Sequence, residues 1–286
     1  MASSLIGEGT VRLQDGRALA YAEWGDPSGF PVLHFHGTPG SRLERHVDDR
    51  VYARLGIRYV TMDRPGYGGS DPLPGRSFMD WAADVRALTD HVGIERFRIF
   101  AVSGGSPFAL AAASVLGDRV SRIAIVSGVG PVDRPGAFKG MELTERLNYW
   151  ATPRYPRASA ALTRAFLGSA ARASDVITRA AAHTGKAVAT RAAGARVLTE
   201  QLRESLRQGA GAAVWENALC ARPWGFELSD VTTEVQLWHG DRDHVCPLHH
   251  ATDVASRLPH ATLTVRRGGH FLVVRCAEEA LLALIT

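Results

Sequence analysis

The stretch Phe100-Ala101-Val102-Ser103-Gly104-Gly105-Ser106-Pro107-Phe108-Ala109 changes character at its first serine. The apolar run before Ser103 predicts a buried strand, and the residues from Pro107 onward predict a helix, whose first turn accommodates proline. So sharp a strand-to-helix turn strains the backbone and lifts the serine hydroxyl above the sheet. Such a turn requires small residues two positions before and after the serine, and Ala101 and Gly105 meet this requirement. Ser103 is therefore the candidate nucleophile.

The chain around this turn alternates strand-like and helix-like segments. The first strand-like segment is a hairpin at residues 11–22. Single strand patterns follow at residues 31–36, 58–63, 97–102, 122–126, 235–239 and 261–265. Helix-like or amphipathic stretches lie between and after them, at residues 41–55, 77–91 with Ser77 as the N-cap, 107–116 and 276–285. Strands that alternate with helices predict right-handed crossovers and a mostly parallel sheet.

The segment from residue 131 to residue 233 has a different composition. Alanine, arginine, leucine, serine and threonine dominate it, and no strand pattern stands out. It predicts a helical insertion in a core formed by residues 1–130 and 234–286. Its tryptophans Trp150, Trp215 and Trp224 either line an apolar pocket or pack in the interior.

Two later loops offer partners for the serine. A serine hydroxyl needs a base to take its proton and a carboxylate to orient that base. Leu237-Trp-His-Gly-Asp-Arg-Asp243 follows one predicted strand, and Arg266-Arg-Gly-Gly-His270-Phe follows the next. These loops offer a carboxylate, Asp241 or Asp243, and the imidazole of His270 as partners for Ser103.

Taken together, these segments resemble the α/β-hydrolase family. The serine turn resembles that family's G-x-S-x-G nucleophile elbow, with Ala101 in place of the first glycine. The two later loops resemble its acid and histidine loops, and the family's acid stands three residues after the glycine of its loop, so the resemblance implies Ser103, Asp243 and His270 as the catalytic residues. The run from Asp63 to Asp71 resembles the family's structural D-x-x-G-x-G-x-S loop. The resemblance spans residues 10–130 and 234–286. It implies an α/β-hydrolase fold, with a mostly parallel central sheet flanked by helices and residues 131–233 as a helical lid.

The resemblance also implies an oxyanion hole made of two backbone N–H groups. One belongs to Gly104, directly after the nucleophile, where a helix N-terminus favours negative charge. The other belongs to Thr38, because His36-Gly37-Thr38-Pro39 resembles the family's H-G-x-P motif. His36, Gly37 and Gly105 are predicted to support these loops.

Several alternatives remain open at this stage. Asp241 could be the acid in place of Asp243, and His270 could be a buried histidine without a catalytic role. His34 and His36 lie on one strand face and could begin a metal site, but no third ligand is evident nearby. The Asp63–Asp71 loop could also bind phosphate, although no Gly-Lys-Ser/Thr follows it.

The predicted function is hydrolysis of a small-molecule ester, thioester or amide through an acyl-enzyme on Ser103. A second hypothesis is an aminopeptidase similar to proline iminopeptidases, which bind the substrate amine through carboxylates of the insertion. The candidate carboxylates for that role are Glu142, Glu145, Glu204 and Glu216. Non-hydrolytic chemistry by the same three residues (a lyase, an acyltransferase or a cyclase) and a pure ligand receptor are further alternatives, because fold does not fix reaction.

Composition restricts the partners. The net charge is +4, but the arginines are spread singly, so nucleic-acid binding is not expected. No run approaches the roughly 20 apolar residues that cross a bilayer, and the start lacks a signal-peptide pattern, so a cytoplasmic protein is expected. The three cysteines have no metal-finger spacing. No cofactor or metal is predicted, and the expected partner is a small-molecule substrate.

Overall fold

The computed structural model of this protein describes residues 4–181 and 186–286. For residues 170–181 and 186–193 it describes only the backbone. The described residues contain eight strands and nine α-helices; three strands come first, and four helices follow one another between the sixth and the seventh strand.

All eight strands form one sheet, in the order β1-β2-β4-β3-β5-β6-β7-β8. The strands are β1 (Leu5–Arg12), β2 (Ala18–Gly25), β3 (Phe30–Phe35), β4 (Ile57–Met62), β5 (Phe97–Val102), β6 (Val120–Val126), β7 (Glu234–Gly240) and β8 (Ala261–Arg266). Only β2 runs antiparallel to its neighbours, β1 and β4, and every pair from β4 to β8 is parallel. The predicted mostly parallel sheet is confirmed.

Helices cover both faces of the sheet. The helices are α1 (Arg50–Arg54), α2 (Trp81–His91), α3 (Ser106–Leu116), α4 (Leu143–Ala151), α5 (Pro156–Ala181), α6 (Lys186–Ser205), α7 (Gly211–Cys220), α8 (Leu248–Arg257) and α9 (Val273–Ile285). One apolar cluster joins the sheet to α2, α3 and α8, and a second joins its other face to α1 and α9. The central strands are buried on both faces because helices cover each of them.

Two helix predictions were wrong in extent. The helix predicted from Ser77 begins at Trp81, because the turn before it is closed by i→i+3 bonds, from the N–H groups of Trp81 and Ala82 to the carbonyls of Phe78 and Met79. The amphipathic stretch 41–55 contains only the short α1. Its first residues bond to distant partners: the backbone N–H of Arg42 donates to Asp63, and the Ser41 hydroxyl donates to the carbonyl of Gln201.

Helices α4 to α7 lie between β6 and β7, within the segment predicted as an insertion, and we call residues 131–233 the helical insertion. None of the helices in the described part of the chain combines the length and apolar character that crossing a bilayer requires. The three cysteines are buried and unbonded to one another.

Candidate active site

The backbone at Ser103 has the sharp turn that the sequence predicts. Strand β5 ends at Val102, Ser103 has a φ of 50°, and α3 begins at Ser106. A positive φ is costly for a residue with a side chain and is retained where the surroundings enforce it. Position 105 requires glycine, because a Cβ there would collide with the carbonyl oxygens of Phe35 and His36.

Ser103, His270 and Asp243 come together at the carboxyl ends of the strands. The Nε2 atom of His270 lies 3.0 Å from the Ser103 hydroxyl oxygen, and its Nδ1 atom lies 2.9 Å from Oδ2 of Asp243. The imidazole thus bridges the hydroxyl and the carboxylate. Because Asp243 accepts at Nδ1, the proton of a neutral His270 resides there, which leaves Nε2 free to accept from the serine.

The Asp243 carboxylate is fixed by its own loop. It is only 3% exposed, and its Oδ1 atom accepts hydrogen bonds from the backbone N–H groups of Val245 (2.9 Å) and Cys246 (2.8 Å). These bonds leave Oδ2 for His270. The rival acid Asp241 is exposed and accepts a bond from the backbone N–H of Gly268, so it takes no part in this cluster.

The loop after β3 lies next to Ser103 and Gly104. A Cβ built on Gly37 would lie 3.7 Å from Cβ of Ser103, and a Cβ built on Gly104 would lie 3.2 Å from the backbone nitrogen of Thr38. Within the residues that the structure describes, the Thr38 N–H has no protein acceptor. The two predicted oxyanion donors, Thr38 and Gly104, are therefore neighbours beside Ser103.

His36 supports this loop by hydrogen bonding. Its Nδ1 donates to the carbonyl of Gly37 (2.7 Å), and its Nε2 accepts from the backbone N–H of Arg64 (3.3 Å). Burial, and then the charge of Arg64, hold the pKa of His36 well below its usual value. His36 is therefore a neutral structural side chain.

The structure gives the two β3 histidines no common role as metal ligands. His34 contacts the carbonyl of Phe100 and the carboxylate of Glu44, away from His36. In residues 4–181 and 186–286, no group of three or more His, Cys, Asp or Glu side chains is arranged to hold a metal ion.

The Asp63–Asp71 loop is held by its first residue. The buried Asp63 carboxylate accepts bonds from the backbone N–H groups of Arg42 and Gly69 and from the Arg42 guanidinium. Gly68 has a φ of +46°, and a Cβ there would collide with that carboxylate. These contacts make the loop a structural support rather than a phosphate site.

The candidate glutamates of the insertion differ in what they contact. Glu216 is buried against Arg64 and Arg76, and Glu204 pairs with Arg42. Glu142 is exposed. Glu145, on α4, is half-buried; burial raises its pKa even though the nearby His270 lowers it. Of the four, Glu145 is the carboxylate whose pKa is lowered by the charge of His270.

The tryptophans of the insertion have three different environments. Trp224 packs in the core against Phe78, Trp150 is half exposed, and Trp215 lines a surface cavity of about 300 Å³ between α7 and the α4–α5 turn. That cavity is lined only by residues of the insertion, none of them from the Ser103 cluster.

The sequence did not predict that Arg64 and Glu216 form an ion pair beside the site. Arg64 was only part of a loop motif, and its partner lies 152 residues later in the chain. An arginine beside a proline and a helical glutamate carry no local pattern that would connect them. Only the fold brings them together.

Comparison with known proteins identifies the family. A family model of the alpha/beta hydrolase fold matches residues 31–274. The chain belongs to the alpha/beta hydrolase fold family, which confirms the resemblance.

Individual relatives carry several different activity names. The chain is 35% identical over 126 residues to a non-heme chloroperoxidase of Streptomyces lividans, a match that covers 43% of this chain and 46% of that protein. It is 28% identical to a proline iminopeptidase of Xylella fastidiosa, over 92% of this chain and 90% of that protein. The crystal structure of a Bacillus anthracis bromoperoxidase matches 98% of this chain and 99% of its own, with a TM-score of 0.71 and 18% identity. This last likeness concerns the fold alone.

Proposed function

We propose that this protein is a serine hydrolase that cleaves a small-molecule ester, thioester or amide through an acyl-enzyme on Ser103. The observation that carries the proposal is the continuous hydrogen-bonded chain from the Ser103 hydroxyl through His270 to Asp243. A general base within hydrogen-bond reach of the nucleophile, oriented by a carboxylate, is the arrangement that activates serine.

The first half-reaction forms the acyl-enzyme. The Ser103 oxygen attacks the carbonyl carbon of the substrate while His270 Nε2 takes the hydroxyl proton. The negative charge that develops on the carbonyl oxygen is stabilised by the backbone N–H groups of Thr38 and Gly104. The tetrahedral intermediate then collapses, and the leaving alcohol, thiol or amine departs with the proton from His270.

The second half-reaction releases the product acid. Water attacks the acyl carbon and gives a proton to His270 Nε2. The intermediate collapses, the Ser103 oxygen leaves the acyl group and recovers the proton, and the free enzyme is restored. Throughout, the Asp243 carboxylate accepts a hydrogen bond from Nδ1–H of His270 and stabilises the imidazolium. The helical insertion is the lid of this site, and no cofactor takes part.

The test uses a panel of short-chain aryl esters with the wild-type protein and the variant Ser103→Ala. We expect ester turnover in the wild type and a loss of several orders of magnitude in the variant. A fluorophosphonate probe should label the wild type at Ser103 and leave the variant unlabelled. Full turnover by the variant, or a wild type that is neither labelled nor active, would overturn the proposal.

A second candidate is an aminopeptidase that removes an N-terminal residue, and Glu145 favours it. This carboxylate, on α4, is close enough to His270 for their charges to interact, and it has no ion-pair partner among the described residues. It could bind the free amine of an aminoacyl substrate, whereas Glu204 and Glu216 already pair with arginines. The proline iminopeptidase that aligns with 92% of the chain supports the same candidate.

Substrate preference distinguishes the two candidates. A hydrolase of simple esters should prefer aryl esters over aminoacyl arylamides, and Glu145→Gln should leave that activity within about twofold of wild type. An aminopeptidase should prefer prolyl arylamide, and Glu145→Gln should raise KM for it about tenfold or more. Equal KM values in the wild type and the variant would remove Glu145 from amine binding.

A further inference from the structure

Two almost fully buried charges lie outside the Ser103–His270–Asp243 cluster and pair with each other. The Arg64 side chain is 0% exposed and the Glu216 side chain is 1% exposed. Burying charges is costly unless they are paired and fully hydrogen-bonded, and replacing such a pair by apolar residues often stabilises a protein. The contacts of this pair therefore call for an explanation beyond stability.

Arg64 donates hydrogen bonds to the loop that contains Thr38, the predicted oxyanion donor. Its Nη1 donates to the carbonyl of His36 (2.5 Å), and its Nη2 donates to the carbonyl of Gly37 (3.0 Å) and to the hydroxyl oxygen of Thr38 (3.2 Å). One planar guanidinium thus contacts three successive residues of the loop. Its rigid fork fixes their relative positions.

Glu216 reaches the same loop from the helical insertion. Its Oε2 accepts hydrogen bonds from the hydroxyl of Thr38 (2.7 Å), from Nη2 of Arg64 (2.8 Å) and from the hydroxyl of Tyr67 (2.9 Å). Its Oε1 accepts from Arg64 and Arg76. Burial alone would raise the pKa of Glu216, but Arg64 and Arg76 outweigh it and lower the pKa to about 2. The carboxylate is ionised at neutral pH.

The Thr38 side chain connects this network to the site. Its hydroxyl donates its only proton to Glu216 and accepts from Arg64, while its backbone N–H lies beside Gly104 and Ser103. The orientation of the Thr38 peptide therefore depends on a residue of α7, in the helical insertion. Displacing an oxyanion donor by a fraction of an ångström weakens its bond to the transition state more than its contact with the ground state.

We infer that Glu216 and Arg64 are positioning residues: through the Thr38 hydroxyl they set the geometry of the oxyanion hole, so that the helical insertion controls the rate of the chemical step. The inference rests on the proposed function. It differs from amine binding by insertion glutamates, because both oxygens of Glu216 already accept hydrogen bonds from protein donors, three at Oε2 and two at Oε1.

A matched pair of variants tests the inference. Thr38→Val and Tyr67→Phe each remove one hydroxyl that donates to the same oxygen of Glu216, at 2.7 and 2.9 Å, and each keeps the shape of the side chain. If the network only supports the fold, both should lose similar stability and little activity. If it positions the oxyanion hole, Thr38→Val should lower kcat by about 10- to 100-fold with KM nearly unchanged, and Tyr67→Phe should stay within about threefold.

Two further measurements complete the test. Thr38→Ser restores the hydroxyl and should recover most of kcat. The rate of fluorophosphonate labelling of Ser103 should fall in Thr38→Val in parallel with kcat, while thermal unfolding of Thr38→Val and Tyr67→Phe stays similar. Equal kcat values in Thr38→Val and Tyr67→Phe, with a labelled and active wild type, would overturn the positioning role alone. A wild type that is neither active nor labelled would overturn the proposed function and the inference with it.

Discussion

Asp243 uses its two carboxylate oxygens for different purposes. Oδ1 is held by two backbone N–H donors of its own loop, and Oδ2 accepts from Nδ1 of His270. An amide has only one oxygen, so an asparagine that keeps the backbone bonds must turn its NH₂ group toward His270. His270 would then carry its proton on Nε2, where it could no longer accept from Ser103.

Asp243→Asn is therefore expected to lower kcat for ester hydrolysis by about 10⁴-fold with only a small change in KM. Steady-state kinetics on an aryl ester would measure this. Asp241→Asn is the matched control, since that carboxylate bonds only to the Gly268 N–H in the described structure, and it should keep activity. A similar loss in both variants would instead indicate general damage to the loop.

Gly104 is constrained by its neighbour rather than by its own backbone. A Cβ at this position would lie 2.7 Å from Cβ of Thr38 and would also collide with the Thr38 hydroxyl oxygen. Gly104→Ala should push the two predicted oxyanion donors apart and lower kcat about 100-fold. Gly7→Ala in β1 is the control, because nothing lies within 4 Å of a Cβ there. If Gly104→Ala kept the wild-type kcat, the Thr38 loop would be able to move aside without disturbing the site.

At the scale of secondary structure, the sequence predicted the buried strands well and the polar segments poorly. Strands β5 and β6 were recognisable because short continuous apolar runs bounded by turns are typical of buried strands. The first turn predicted for α2 has i→i+3 bonds in place of α-helical ones, and residues 41–49 contact Asp63 and Gln201 instead of forming a helix. Asp63 and Gln201 are distant in the chain, so the pattern of residues 41–49 does not indicate these contacts.

Helix α2 is held to the β1–β2 hairpin by one buried ion pair. Arg17 forms two hydrogen bonds with Asp84, at 2.7 and 3.0 Å, and Asp84 is 2% exposed. Breaking a buried pair leaves a charge without its partner, although Arg17 keeps Asp15 and some solvent. Asp84→Ala should therefore lower the free energy of unfolding by roughly 2 kcal/mol.

Chemical denaturation would measure that loss. Asp15→Ala removes the more exposed partner of the same arginine and should cost less than about 0.5 kcal/mol. If the two alanine variants were equally stable, the attachment of α2 would depend on apolar packing alone.

At the scale of the whole molecule, the predicted elements were assembled as the family resemblance implied, but the contact between core and insertion was not foreseeable. Ser103, Asp243 and His270 were predicted from their positions after strands together with the resemblance of their loops to those of the family, and the carboxyl ends of parallel strands meet at one edge. Glu216 was named only as one of four candidate amine ligands. Its actual partners come from the loops after β3 and β4, and no pattern within α7 points to them.

Glu216 also links the stability of the folded chain to pH. Its pKa lies near 4.5 in an unfolded chain and at about 2 in the folded protein, where Arg64, Arg76 and Tyr67 face it. A carboxyl group whose pKa is lower in the folded state stabilises that state fully above the unfolded pKa. The contribution is lost as pH falls from about 4.5 toward 2.

Comparing the wild type with Glu216→Gln isolates this effect, because the amide does not titrate and the other acidic groups, including Asp63 and Asp84 with their raised pKa values, are common to both proteins. The wild type should be the more stable protein at pH 6, since the amide leaves two buried arginines without a counter-charge. By pH 3.5 its advantage should shrink by about 1 kcal/mol. Urea denaturation across this range measures it, and an advantage that stayed constant or grew toward low pH would contradict an ionised Glu216 at the junction of core and insertion.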